Sequence, residues 1–223
     1  MVSVKWLGHA AFEIEIADKR VLIDPFLKGN PLSPLRPEDL QHIDVIVITH
    51  DHGDHFGDSV EIAKKYNSTV VSIYETASKA SGEGVQNCIG MNIGGTVKID
   101  RLSITLTPAF HSMSSNPCGI VLSDGKTSIY HAGDTTVFHD MRLIRQLYKP
   151  SIALLPIGGF YTMGPKEAAL ATTLIKPKIV IPMHYNTFDV IKQGPEEFKR
   201  ELKKTKVRGV KVIVLKPGEV YQF

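Results

Sequence analysis

The sequence predicts an α/β protein in which two β-sheets pack face to face with helices outside, and three observations carry that expectation. Two β-rich blocks are each followed by helical segments, short wholly apolar runs alternate with those helices, and no linker, low-complexity tract or fixed-period repeat divides the 223 residues. One domain over residues 1–223 is the expected organisation.

Phe12, Ile14 and Ile16 alternate with Glu13 and Glu15, the period-two pattern of a half-buried strand, and Val21, Leu22 and Ile23 form the next one before Asp24 and Pro25. Pro31, Pro34 and Pro37 then impose a surface excursion. Residues 45–48 form a short apolar strand, residues 58–66 a helix that starts at Asp58 or Ser59, and residues 70–73 a further strand. In the second block Leu102, Ile104 and Leu106 alternate ahead of His111. Residues 120–122 and 128–130 pair through the Asp124-Gly125 turn signal. Helices follow at 141–147, 165–175 and 195–204, the last two with Pro in the first helical position. Apolar strands at 152–155, 179–181 and 210–215 lie between and after them.

Composition narrows the function classes. Apolar residues make up 43% and charged residues 22%, the range of an ordinary globular chain with core enough to need no disulfide. Cys88 and Cys118, without CxxC spacing, read as reduced thiols, and Cys118 as a core residue. A net charge of +3, from 26 basic against 23 acidic residues, argues against a nucleic-acid partner. The one locally basic stretch, residues 199–208, is diluted by Glu196, Glu197 and Glu201 and reads as a solvated helix face. No run reaches the roughly 18 apolar residues of a membrane span and the N-terminus has no signal-like apolar region, so a cytoplasmic location is expected.

The chemistry concentrates after the strand at 45–48. Thr49, His50, Asp51, His52, Gly53, Asp54 and His55 put three imidazoles and two carboxylates within six residues, a pattern with a chance expectation on the order of one in a thousand. Neutral imidazole nitrogen and carboxylate oxygen are the preferred ligands of zinc and similar ions, and a loop with a tight turn at Gly53 can fan adjacent side chains toward one point. Four ligands would fill one tetrahedral ion and leave no open position, so a second set is sought. His111, Asp134 and His184 each lie just past a strand end, where loops converge in layered α/β folds. His42 and His139 have no motif partner, and His131 only its nearness to Asp134.

The THDHGDH run followed by single His, Asp and His residues resembles the metallo-β-lactamase fold superfamily. Leu7 to Ala10, Leu22 to Pro25, Pro156 to Gly159 and Tyr161 to Pro165 resemble, within it, the small metal-dependent hydrolases related to L-ascorbate-6-phosphate lactonase. The resemblance spans nearly the whole chain and implies an αββα sandwich with a dinuclear site at the sheet edges. It implies that His50, His52 and His111 hold one metal, that Asp54, His55 and His184 hold the other, and that Asp134 bridges them. Asp24 matches the carboxylate that supports the ligand loop from behind. His9 matches a histidine near the metals, which implies a proton donor to a leaving group, a holder of a substrate oxyanion, or a hydrogen-bonded structural residue.

Two divalent ions would activate a bridging hydroxide, with Asp54 orienting it, for hydrolysis of an ester, lactone or phosphoester of a small molecule. Zinc is the first expectation, with manganese, iron or nickel compatible with the same donors. Residues 26–41 and 158–165 are expected to line the pocket, Tyr161 and Met163 as its wall. A phosphodiesterase or nuclease would share the fold but calls for a cap domain or basic arm, and neither is evident. A di-iron redox relative would carry Glu where this chain has His52, while a non-catalytic metal-binding role remains compatible with the ligand set.

Overall fold

The computed structural model describes residues 2–112 and 116–223; residue 1 and residues 113–115, part of the 1–223 span expected as one domain, lie outside the described residues. Among the described residues, fourteen strands form two mixed seven-stranded sheets. The first comprises β1 (Ser3–Trp6), β2 (Phe12–Ile16), β3 (Lys19–Ile23), β4 (Val45–Val47), β5 (Thr69–Ile73), β6 (Cys88–Met91) and the late β14 (Val220–Gln222), in the order β14-β1-β2-β3-β4-β5-β6. The second comprises β7 (Thr96–Ile99), β8 (Leu102–Pro108), β9 (Cys118–Ser123), β10 (Ser128–His131), β11 (Ile152–Pro156), β12 (Ile179–Met183) and β13 (Lys211–Val212), in the order β13-β12-β11-β10-β9-β8-β7. The expected αββα architecture is therefore present.

Alternation decides which core each side chain joins. Val21 and Ile23 on β3, with Val45 and Val47 on β4, point into the core shared with the second sheet, whereas Leu22 and Ile46 point the other way. There they meet Ile62 and Ala63 of α2 (Ser59–Tyr66) and Ala80 of α3 (Tyr74–Gly82). Both faces of β3 and β4 are covered, which is why these strands read as continuous apolar runs. On the second sheet α4 (Met141–Tyr148), α5 (Pro165–Ile175) and α6 (Pro195–Lys204) supply the outer layer, burying Ile144, the Ala168-Ala169-Ala171 stripe, and Phe198 with Leu202. No helix of the described residues is long and apolar enough to cross a membrane.

Pairing also sets direction. β1 is antiparallel to β2, β2 to β3, and β3 is parallel to β4, so β1, β3 and β4 all run the same way. By the same logic β8, β10, β11 and β12 run together. The segments that follow these strands carry His9, Asp24, His50, His111, Asp134 and His184, and the fold brings them to one edge of the sandwich.

Several elements differ from expectation. The strand expected at 210–215 reduces to Lys211–Val212, and β1, β6, β7, β14 and α3 had no assignment. The motif segment, expected as a loop turning at Gly53, contains a helical turn, α1 (Gly53–Phe56). Gly53 needs no special conformation, and a Cβ there would meet nothing within 4 Å. The constrained glycine is Gly57, which ends α1 at φ +45° and ψ −130° and where an added Cβ would run into the Pro25 carbonyl. Gly57→Ala is expected to cost about 3 kcal/mol in urea unfolding, from the forbidden backbone region and the clash with Pro25. A loss under about 1 kcal/mol would show that the turn relaxes freely.

Candidate metal centre

The site is assembled from side chains that flank six strands. Following β4, Thr49 and His50 leave the sheet, His52 precedes α1, and Asp54 and His55 sit on α1 itself. A helical turn separates the directions of adjacent residues by about 100°, so Asp54 and His55 diverge around the same centre. His9, Asp24 and His184 occupy the left-handed region at φ +54°, +46° and +54°. His and Asp are among the side chains that tolerate it best, and such backbone clusters where function over-determines conformation.

Two groups of donors result. Nε2 of His50 and Nε2 of His111 lie 3.2 and 3.3 Å from Nδ1 of His52. Asp54, His55, His184 and His9 form the second group, with ligand atoms mutually within 4.8 Å. Asp134 stands between them: Oδ1 is 3.3 Å from His55 Nε2, while Oδ2 is 3.1 Å from His184 Nε2 and 3.7 Å from His111 Nε2. The structure thus brings together all seven residues assigned as ligands from the sequence, with His9 beside the second group.

The donor set fits divalent cations. Nε2 of His55, Oδ1 of Asp134 and both ring nitrogens of His184 are buried without an aligned hydrogen-bond partner, an expensive arrangement unless something else satisfies them. The surrounding hydrogen bonds point the same way. Thr49 Oγ1–H donates to Asp24 Oδ2 at 2.6 Å, and His55 Nδ1–H donates to the same oxygen at 2.7 Å. His50 Nδ1–H donates to Thr49 Oγ1 at 2.8 Å, and the Thr49 amide donates to Asp24 Oδ1 at 2.8 Å. With both Nδ1 atoms protonated and held from behind, Nε2 of His50 and Nε2 of His55 are the ring atoms turned to the centre, the orientation a metal requires.

Protonation follows burial and neighbours. Burial and the His55 charge pull His50 down to about 2, and burial with the His184 charge pulls His9 down to about 4, so both imidazoles are neutral. Burial works against charge on His55, yet Asp134 and Asp24 outweigh it and raise its pKa well above the ordinary value. Burial also opposes the Asp134 carboxylate, but His184 and His55 hold its pKa well below the usual range. The metal-free centre is a compensated ion cluster whose His55 proton must leave when a cation enters.

His9 is fully buried under Asp54 and does not line the cavity above the donors. Being neutral, it donates from Nε2 to Asp54 Oδ2 at 3.0 Å and accepts at Nδ1 from the Thr187 hydroxyl at 2.8 Å. Its carbonyl accepts from Trp6 Nε1–H and the His184 amide, which ties it to the His184 loop. Burial raises the Asp54 pKa, but the His9 hydrogen bond and the His55 charge outweigh it and keep the carboxyl ionised. Asp24 is buried behind the motif.

The cavity of about 640 Å³ is lined by His52, Asp54, His111, Asp134 and His184 on its floor, with Ser112, Phe160, Tyr161, Phe188 and Val190 around them. Tyr161 is wall, as expected. Met163 is instead buried in the core, and its amide donates to Thr135 O. None of residues 26–41 lines the cavity; Phe26 packs against His9 and Phe188 from behind. His131 is buried away from the donors, donating to Ala10 O and accepting the Gly133 amide, so it braces the Asp134 turn. Gly133, at φ +62°, packs against Cys118 O and Thr49, leaving no room for a side chain. Sequence reasoning missed Thr187, Phe188 and Val190, which follow His184 but carry no spacing signal. Thr49 stood in the motif without a role; its position directly before the first His was the available clue.

The family model described as a beta-lactamase superfamily domain matches residues 19–185. A UPF0173 metal-dependent hydrolase of Caldivirga maquilingensis is 54% identical over 99% of this chain and 97% of that protein. Another, of Methanopyrus kandleri, is 51% identical over 99% of this chain and 100% of that protein. Among solved structures, Igni18, a metallo hydrolase of Ignicoccus hospitalis, superposes with a TM-score of 0.92 at 41% identity, covering 100% of this chain and 99% of that one.

Proposed function

Because this chain belongs to the beta-lactamase superfamily and is a metal-dependent hydrolase, we propose that it works as one domain over residues 1–223 with a dinuclear centre that cleaves an ester, lactone or phosphoester of a small molecule. His50, His52 and His111 would hold one divalent ion, Asp54, His55 and His184 the other, and Asp134 both. The observation that carries this reading is the Asp134 carboxylate, buried between two histidine groups with one oxygen toward His55 and the other toward His184 and His111. Zinc is the first candidate and manganese, iron or nickel suit the same donors.

When bound, such a pair supplies Lewis acidity that polarises a carbonyl or phosphoryl oxygen and brings the pKa of coordinated water near neutrality. The remaining work falls to the chain. Asp24 and Thr49 fix the rings of His50 and His55, so the donors are aimed before a cation arrives. Asp54, ionised and open to the cavity, accepts a hydrogen bond from a nucleophilic water and orients it. Its low pKa makes it a poor proton store. His9, neutral and buried, acts in this reading as a positioning residue that keeps Oδ2 of Asp54 occupied from below.

Metal counting tests the reading. Protein loaded separately with zinc and with manganese is expected to retain about two equivalents per chain after desalting, as separate donor sets demand. His52→Ala and His184→Ala should each retain about one, having lost a donor from opposite groups. One equivalent in the unaltered protein under both metals would overturn the dinuclear assignment and leave the hydrolase family membership standing.

A further inference from the structure

Eleven large apolar side chains are exposed among the described residues, and four of them, Phe160, Tyr161, Phe188 and Val190, line the single cavity above the metal donors. Phe160 is 77% and Val190 51% exposed, so neither contributes much to the core. Both walls are nonetheless built. Phe160 is held at φ +55° in a tight loop in which the Gly159 amide donates to Met163 O at 3.0 Å and the Tyr161 amide to Gly159 O at 2.6 Å. Its ring packs edge-to-face on Tyr161 at 4.8 Å. In a second lining segment, Phe188 sits edge-on to His9 at 5.4 Å, in a loop closed by the Asn186 amide on Ile191 O. Contiguous exposed apolar surface that rims a reactive centre marks a ligand contact.

Charge is distributed just as unevenly. No Lys or Arg is among the described residues lining this cavity, and its carboxylates belong to the donor set. The residue types at 113–115, beside the lining Ser112, are Met, Ser and Ser and bring no charge. Cations gather at a different cavity between the ends of α4 and α5, bounded by Arg142, Arg145, Lys149, Lys176 and Lys178, where none of the metal donors contributes. A phosphorylated substrate would find no side-chain countercharge for its remote phosphate at the reactive site.

We infer that the substrate is an uncharged carboxylic ester or lactone with an aryl-alkyl arm, its carbonyl over the donors and its arm against Phe160, Tyr161, Phe188 and Val190. This rests on the hydrolytic reading of the same site. The reaction adds water across the acyl C–O bond. The water oxygen bonds to the carbonyl carbon, the ester C–O bond breaks, and a water proton passes to the departing alkoxide, giving acid and alcohol.

Metal-loaded protein is assayed on 4-nitrophenyl acetate, butyrate and 4-phenylbutyrate, with bis(4-nitrophenyl) phosphate as the anionic comparison. The kcat/KM is expected to rise about fourfold per methylene added to the arm, the value of a buried CH₂, and the phosphodiester to be the poorest substrate. Calorimetric titration with phenylalkyl trifluoromethyl ketones of matching arm lengths reads the same preference without turnover. In the pair Phe160→Ala and Phe188→Ala the phenylbutyrate-to-acetate ratio should fall about tenfold. Should the pair fail to fold, Phe160→Ala by itself, at an exposed position, carries the comparison. Ketone affinity independent of arm length, an unchanged ratio in the variants, or preference for the phosphodiester overturns the proposal while leaving the hydrolase reading intact. Ketone binding that tightens with arm length while no ester is cleaved counts against the hydrolytic reading instead.

Discussion

Asp134→Ala is expected to lower kcat/KM by more than about 100-fold, beyond the loss typical of a residue that only supports a metal ligand. The carboxylate reaches into both histidine sets, 3.3 Å from His55, 3.1 Å from His184 and 3.7 Å from His111. Its removal should therefore weaken both ions at once, whereas His52→Ala weakens one. The loss has a readout apart from turnover. Metal bound at 100 times its dissociation constant stabilises the folded chain by about 2.7 kcal/mol, and that metal-induced rise in Tm should vanish in Asp134→Ala. Asp134→Asn separates charge from shape, because the amide keeps the volume and one acceptor oxygen but cannot serve as an anionic donor to both groups. An Asn variant that binds two ions and turns over normally would refute the shared-carboxylate arrangement.

Asp24→Ala should unfold more readily by about 3 to 5 kcal/mol, the penalty for breaking a fully buried polar pairing. The side chain has no solvent exposure and accepts the Thr49 amide, the Thr49 hydroxyl and His55 Nδ1–H, so alanine strands three donors in the interior. Residue 24 also sits at φ +46°, where alanine is less tolerated than aspartate. Metal affinity, measured by chelator competition, should drop about 10- to 100-fold because the rings of His50 and His55 lose their fixed tautomer. Asp24→Asn gives the discriminating comparison. Its amide restores packing and part of the stability, yet presents a donor where His55 Nδ1–H or Thr49 Oγ1–H needs an acceptor, so the affinity loss should persist. Urea unfolding in the presence of chelator isolates the first effect from the second. A stability change below about 1 kcal/mol in Asp24→Ala would mean the buried network is dispensable.

What could be read along the chain was uneven for physical reasons. The β2, β3 and β4 segments announce themselves because each must bury one or both faces, so alternation or an unbroken apolar run is imposed on the residues themselves. β6 and β7 lie at sheet edges and are half-exposed, which leaves Cys-Ile-Gly-Met and Thr-Val-Lys-Ile with no strong pattern. α3 is built from Thr, Ser, Lys and Gly around three buried small residues and is held by β5 and β6 rather than by its own propensity. The helical turn at Gly53–Phe56 was hidden for a related reason, since four residues are too few to show a period.

The order of residues sets the chemistry on offer: imidazoles and carboxylates crowded into six residues after an apolar strand, and three more such residues just past strand ends. Those are covalent facts of local spacing and need no fold to be stated. Tertiary structure alone decided who meets whom. His9 and Thr187 are 178 positions apart yet hydrogen-bonded, and Asp134 faces both His55 and His184, because strand order and direction carry the ends of β1, β4, β8, β10 and β12 to one edge. It also turned His9 inward beneath Asp54 and raised Phe160, Phe188 and Val190 over the donors. Contacts of that range depend on sheet closure, which no short stretch of chain encodes, since each strand buries its apolar face equally well beside more than one neighbour.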